Sequence, residues 1–157
     1  PYEPVLSRLT MRQIAAEIGA EVVHGERYLD RPIHKVIIGA QQARRLLQML
    51  EPGTLAIIPG DRDDLILAAV TLEELSAEKG IIGICITSGT APDRNVMELI
   101  ARSQTPVIQV EAGIYEVTSE ISDVVGKVLP SDREKIETGI SLVARQVDVD
   151  LLLQEAL

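Results

Sequence analysis

A chain of 157 residues is long enough to close one hydrophobic core and too short for two ordinary ones. Its composition, 46% apolar and 25% charged, is globular, and with no Phe or Trp and only Tyr2, Tyr28 and Tyr115 the apolar share is almost wholly aliphatic. A formal net charge of −9 repels phosphate backbones, and the chain lacks the aromatic platforms that stack bases, so nucleic acid is excluded as a partner.

No stretch approaches the roughly 20 apolar residues of a membrane span, and no basic start followed by an apolar run marks a signal peptide. The expected location is the cytoplasm, away from any membrane. The lone Cys85 sits between Ile84 and Ile86. That setting predicts a buried strand thiol, with no cationic neighbour in sequence to stabilise a thiolate.

Residues 1–9 read as a linker, and Pro1 at the start predicts that the chain is a piece of a longer protein. Thr10-Met11-Arg12-Gln13 has the form of a capping box and predicts a helix to Ile18, stopped by Gly19. Glu21 to His24 and Ile33 to Ile38 read as strands, joined by a connection of hairpin-like length. Gln41 to Leu50 reads as a helix with Ala43, Leu46, Leu47 and Leu50 on one face, closed by Glu51-Pro52-Gly53.

A strand–helix alternation follows: strands at Thr54 to Ile58, Ile81 to Ile86 and Pro106 to Val110, and helices at Asp63 to Lys79, Asp93 to Arg102 and Tyr115 to Val125. Strands apolar on both faces and separated by helices predict a mostly parallel sheet with right-handed crossovers, made mixed by the first two strands. Ser131-Asp132-Arg133-Glu134 is a second capping box, opening a helix with Ile136, Ile140, Val143 and Val147 in one stripe. After a break at Asp148-Val149-Asp150, the apolar turn Leu151 to Leu157 either folds back or meets a partner. The domain proper is thus expected over 10–127, with a helical extension over 128–157.

Two loops carry the functional signal: Pro59-Gly60-Asp61-Arg62-Asp63-Asp64, and Thr87-Ser88-Gly89-Thr90. Both follow strands, and loops at the carboxyl ends of neighbouring parallel strands converge on the crevice where α/β proteins bind ligands. Gly60, Asp61 and Arg62 offer backbone N–H groups at a helix start and a guanidinium fork for phosphate or carboxylate. The same residues also read as a plain cap, Asp61 accepting the helix-end N–H bonds while Asp63 and Asp64 complement the dipole. Thr87, Ser88 and Gly89 supply hydroxyls and a Gly for close approach.

Asp61, Asp63 and Asp64 do not make a metal site, because side chains at 63 and 64 diverge on a helix. His24 and His34 lack the further ligands of a metal triad. No P-loop, dinucleotide fingerprint or nucleophile elbow is present, so no catalytic residue and no certain cofactor is assigned.

The stretch from Val36 to Ala40, then Leu50 to Leu55, then Ile57 to Ala69, resembles the DRTGG domain family, named for an Asp-Arg pair and a Thr-Gly-Gly triplet. The pair falls on Asp61-Arg62 and the triplet on Thr87-Ser88-Gly89, where Ser88 departs from the family's middle Gly. Gly113-Ile114-Tyr115 keeps only the aromatic position of a further Asp-Thr-aromatic triplet. The resemblance implies a three-layer α/β/α domain similar to the N-terminal domain of the HPr kinase/phosphorylase.

It also implies neighbours, since such domains occur with BioD-like P-loop domains, in phosphotransacetylases and beside CBS domains in pyrophosphatases. The expectation is a non-catalytic regulatory domain in a longer protein that carries an N-terminal P-loop domain. It would self-associate as a homodimer and sense a nucleotide or other small anionic metabolite at Gly60, Asp61, Arg62, Thr87, Ser88 and Gly89. The rivals are a purely structural dimerisation module, and a domain serving acyl or phosphoryl transfer only with its neighbour.

Overall fold

The computed structural model describes residues 9–75, 81–124 and 133–146. It divides into a main unit, Leu9–Val124, and a second unit to which residues 133–146 belong. The expected linker before Leu9, the Ser131 cap, the 148–150 break and the Leu151 to Leu157 turn lie outside the described residues.

The main unit is built on five strands, β1 (Glu21–His24), β2 (Lys35–Ile38), β3 (Thr54–Pro59), β4 (Gly83–Thr87) and β5 (Val107–Gln109). Their order across the sheet is β1-β5-β4-β3-β2. β2 to β5 run parallel, and β1 pairs antiparallel with β5, Val22 opposite Ile108. The sheet is therefore mixed and mostly parallel, as its sequence pattern predicts.

The hairpin-like junction of the first two strands is corrected by this order, because β1 and β2 form opposite edges. Residues 25–34 can reach roughly 33 Å extended, against about 19 Å across four strand spacings, so a connection of hairpin length also suffices to pass along the end of the sheet. The start of helix α1 (Met11–Glu17) holds it there. Leu29 is buried and its carbonyl accepts from Arg12 N–H, while Arg12 forms a bidentate pair with Asp30 and also donates to the Glu26 carbonyl. Ile33 N–H donates to the Leu9 carbonyl, which delays the start of β2 to Lys35.

Period-two alternation divides each central strand between two apolar layers. Ala56, Ile58, Ile84, Ile86 and Val107 face helices α2 (Ala43–Met49), α3 (Asp63–Leu75) and α4 (Arg94–Arg102). Leu55, Ile57, Cys85 and Ile108 face α1 and α5 (Ile114–Asp123). Three successive crossovers of one hand and one direction must leave their helices on one side, which is where α2, α3 and α4 lie. The result is the expected α/β/α sandwich.

The Thr10–Gln13 capping box opens α1 as its spacing predicts: Thr10 Oγ1 accepts from Gln13 N–H, and Gln13 Oε1 accepts from Thr10 N–H at 3.0 Å. Gly83 lets α1 approach the sheet, since a Cβ there would lie 2.1 Å from Met11 Sδ. In the second unit, α6 (Arg133–Gln146) carries Ile136, Ile140 and Val143 along one exposed stripe.

Candidate functional site

Parallel strands β2 to β5 all end at one pole of the sheet, so the two motif loops meet there. β4 is followed by α4 on one face and β5 by α5 on the other. That change of side is the topological switch at which open α/β sheets form their crevice, and it lies between β4 and β5. Thr87-Ser88-Gly89 therefore faces the β5–α5 loop, residues 110–113, as well as the Gly60 loop.

Gly60 is buried, and its N–H donates to the Thr87 carbonyl at 3.1 Å. A Cβ at Gly60 would lie 1.7 Å from the Thr90 carbonyl oxygen, so the two loops touch backbone to backbone. Ser88 N–H donates to the Ala112 carbonyl at 2.8 Å and Gly89 N–H to the Val110 carbonyl at 3.2 Å. These N–H groups bind the three loops to one another.

Ser88 and Gly89 are both left-handed, at φ 70° and 59°. Ser88 is the one residue other than Gly with positive φ among the described residues, and it stands where the resemblance places the middle Gly of the triplet. The triplet is thus a backbone motif: two left-handed residues turn β4 sharply toward β5. A side chain at the first of them costs on the order of 1 kcal/mol.

Thr87 is fully buried at the end of β4, and its Oγ1 has no hydrogen-bond partner among the described residues. Alternation from Cys85 puts it on the α1/α5 side of the sheet. A buried hydroxyl left unpaired costs about 1–3 kcal/mol, so this group calls for a reason.

Arg62 is held rather than free. Its Nε and a terminal nitrogen pair with the two oxygens of Asp64 at 2.8 and 2.9 Å, and the terminal nitrogen also donates to the Gln41 carbonyl at 2.9 Å. The guanidinium holds the Asp64 carboxyl below its ordinary range, chiefly through these hydrogen bonds, and the Arg62 value is raised in turn. Asp61 is exposed and takes part in none of these hydrogen bonds. The reading of Asp61 as the cap of α3 is corrected: the Arg62 carbonyl accepts from Leu65 and Ile66 N–H, which puts the cap one residue later. Asp63 and Asp64 fill the first turn as expected, and Asp63 Oδ1 accepts from Asp93 N–H, tying α3 to α4.

Glu111, Gln41 and Asp93 join the site without having been singled out in the sequence. A Cβ at Gly89 would lie 2.2 Å from Glu111 Oε2, so this carboxylate covers the triplet. Their common signal is position after β5, β2 and β4, at the same sheet pole. Asp61, Asp63, Asp64, Asp93 and Glu111 make that pole acidic, with Arg62 as its paired cation. Among the described residues no three His, Cys, Asp or Glu side chains group to hold a metal ion.

The remaining reactive types lie elsewhere. Burial pushes the Cys85 thiol up to about 12, which leaves it protonated and inert. His24 Nε2 lies 2.9 Å from the Ser103 carbonyl at the opposite pole, and His34 is exposed. No described helix is long and apolar enough to cross a membrane.

Fold and loop geometry define a three-layer α/β/α domain with a left-handed Thr-Ser-Gly turn tied to an Asp-Arg loop. The profile of the DRTGG domain matches residues 13–124, and the chain belongs to that family. It is 32% identical over 151 residues to a phosphate acetyltransferase of Nitratidesulfovibrio vulgaris, covering 94% of this chain and 21% of that protein. A phosphate acetyltransferase of Pseudomonas aeruginosa is 31% identical over 159 aligned positions, covering 98% of this chain and 22% of the relative. The chain thus spans about a fifth of the length of the curated relatives it matches.

Among solved structures, the CBS and DRTGG domains of the regulatory region of Clostridium perfringens pyrophosphatase, complexed with its activator diadenosine tetraphosphate, share the fold. The TM-score is 0.62 at 16% identity, covering 91% of this chain and 62% of that one.

Proposed function

We propose that this domain is a non-catalytic regulatory module of a longer, phosphate-acetyltransferase-related protein with a BioD-like P-loop domain as neighbour. It self-associates and senses a small anionic metabolite or nucleotide at the crevice formed by Gly60, Asp61, Arg62, Thr87, Ser88 and Gly89. The observation that carries this reading is the Thr87 hydroxyl, buried and unpaired at the topological switch. A group that costs stability in the free domain is explained if ligand binding opens the β4–β5 junction and gives it a partner. Arg62 supports the same reading, because its partner Asp64, two residues on in the first turn of α3, is half exposed, so an incoming phosphate can take its place.

The test is a thermal-shift screen with diadenosine tetraphosphate, ATP, acetyl-CoA, acetyl phosphate, NADH and pyruvate. A ligand at 100 times its Kd adds about 2.7 kcal/mol, a shift of several degrees. The shift is expected to vanish in Arg62→Ala and in Thr87→Val. Full retention in both variants would remove this crevice as the site.

The acidic pole and the inward use of the Gly60, Ser88 and Gly89 N–H groups favour a second reading, in which the motifs only weld the loops of a dimerisation scaffold. That reading predicts no shift with any ligand and a Tm that rises with protein concentration.

A further inference from the structure

The two edges of the sheet are unlike. β1 carries the exposed Glu21, and its pairing with β5 shifts register between Val22 and His24; charge and irregularity of this kind keep an edge from recruiting another strand. β2 lacks the irregularity. Among the described residues it has one neighbour, β3, and its pairing with β3 is regular over all four residues. Its single charge, Lys35, is drawn away toward Glu51 at 2.9 Å and the Met49 carbonyl.

Lys35 and Gly39 N–H donate to the carbonyls of Gly53 and Ile57 on the β3 side. By alternation, the N–H and C=O groups of Val36 and Ile38 point outward from the sheet. Their side chains stand on the face opposite α2 and remain 37% and 42% exposed.

We propose that β2 is a self-association edge: two copies pair their β2 strands antiparallel about a two-fold axis at Ile37, joining their sheets. The proposal rests on the self-association in the function proposed above and gives it a surface. Second copies fit because the edge is complementary to itself in this register. Val36 exchanges both backbone hydrogen bonds with Ile38 of the partner subunit and the reverse, so four bonds form and the exposed Val and Ile side chains become cross-strand neighbours. Lys35 falls opposite Gly39 of the partner subunit, so no like charges meet. Ile37 meets its own copy at a non-hydrogen-bonded position with Cα atoms about 4.5 Å apart, within reach of a disulfide.

Analytical ultracentrifugation of the full chain over a wide concentration range, beside Ile38→Lys and with circular dichroism as a check on folding, tests the proposal. Ile38 is 42% exposed, so the variant is expected to fold. The expected result is a dimer whose Kd rises at least about tenfold in Ile38→Lys. Under mild oxidation Ile37→Cys is expected to give a disulfide-linked dimer, while the wild type, whose Cys85 is buried, gives none. Self-association of equal strength in the wild type and Ile38→Lys, with no cross-link in Ile37→Cys, would overturn this edge and leave self-association through another surface standing. A wild type that stays monomeric throughout would overturn both, leaving the edge to a different occupant.

Discussion

Replacing Gly60 by Ala tests the contact on which the site depends. The new methyl carbon would lie 1.7 Å from the Thr90 carbonyl oxygen, 2.8 Å from its carbon and 3.2 Å from Ile86 Cγ2. Two of these three atoms belong to backbone, so no rotamer change relieves the clash. To restore van der Waals contact the Thr90 carbonyl must retreat by about 1.5 Å. That motion pulls on the Gly60 N–H bond to Thr87 and on the left-handed Ser88-Gly89 turn.

Overpacking of this kind costs about 1–3 kcal/mol, and weakening a backbone hydrogen bond adds about 1 kcal/mol. A loss of about 2–4 kcal/mol corresponds to a Tm lower by roughly 10 °C for a domain of this size. Gly113→Ala is the matched control, because its φ is −73° and the nearest heavy atom to its Cβ is Glu116 Oε2 at 3.8 Å. That change is expected to stay within about 0.5 kcal/mol, its entropic gain offset by a poorer cap. Both are read by thermal and urea denaturation. If the two variants melt within about 2 °C of each other, the close approach of the two motif loops is refuted.

Ser88→Gly removes a Cβ from a left-handed residue, a relief of about 1–2 kcal/mol offset by the greater freedom of Gly in the unfolded chain; urea titration is expected to show a net gain of roughly 0.5–1 kcal/mol. Thr87→Val keeps the shape and deletes the unpaired hydroxyl, so its unfolding free energy from urea titration is expected to rise by about 1 kcal/mol, whatever becomes of ligand binding. Asp64 and Asp30 both have folded-state values below the ordinary 3.8, through hydrogen bonds to Arg62 and Arg12. Their contribution is therefore complete above the unfolded value and is lost as pH falls through the folded one, and melting below about pH 4 is expected to be less steep in Asp64→Asn than in the wild type. Both pairs are half exposed, so the effect is small. Cys85 is expected to resist a thiol reagent at neutral pH in the folded chain and to react stoichiometrically in denaturant.

Much of this domain was written in its sequence, because local physics decides it. Thr10 and Gln13 cap α1 through a three-residue spacing that needs no distant partner. Apolar strands alternating with helices specify a parallel sheet covered on both faces, since only that arrangement buries Ile57 and Ile58 together. The Asp61-Arg62 and Thr87-Ser88-Gly89 motifs marked the sheet pole where the loops gather.

Tertiary structure decided what sequence spacing leaves open. Length alone made the β1–β2 connection a hairpin, but Arg12, Leu9 and the buried Leu29 hold it along the end of the sheet and send the strands to opposite edges. Spacing offered Arg62 as a fork for phosphate or carboxylate beside a plain cap reading of the same loop, whereas folding brings it Asp64 and the Gln41 carbonyl at once. Glu111 carried no local signal, and it enters the site only because β5 lies beside β4 and sets that carboxylate over Gly89. Capping and periodicity act within a few residues of chain, so the sequence can state them. The partners of an exposed side chain and the order of strands depend on contacts between distant residues, and only the closed fold fixes those.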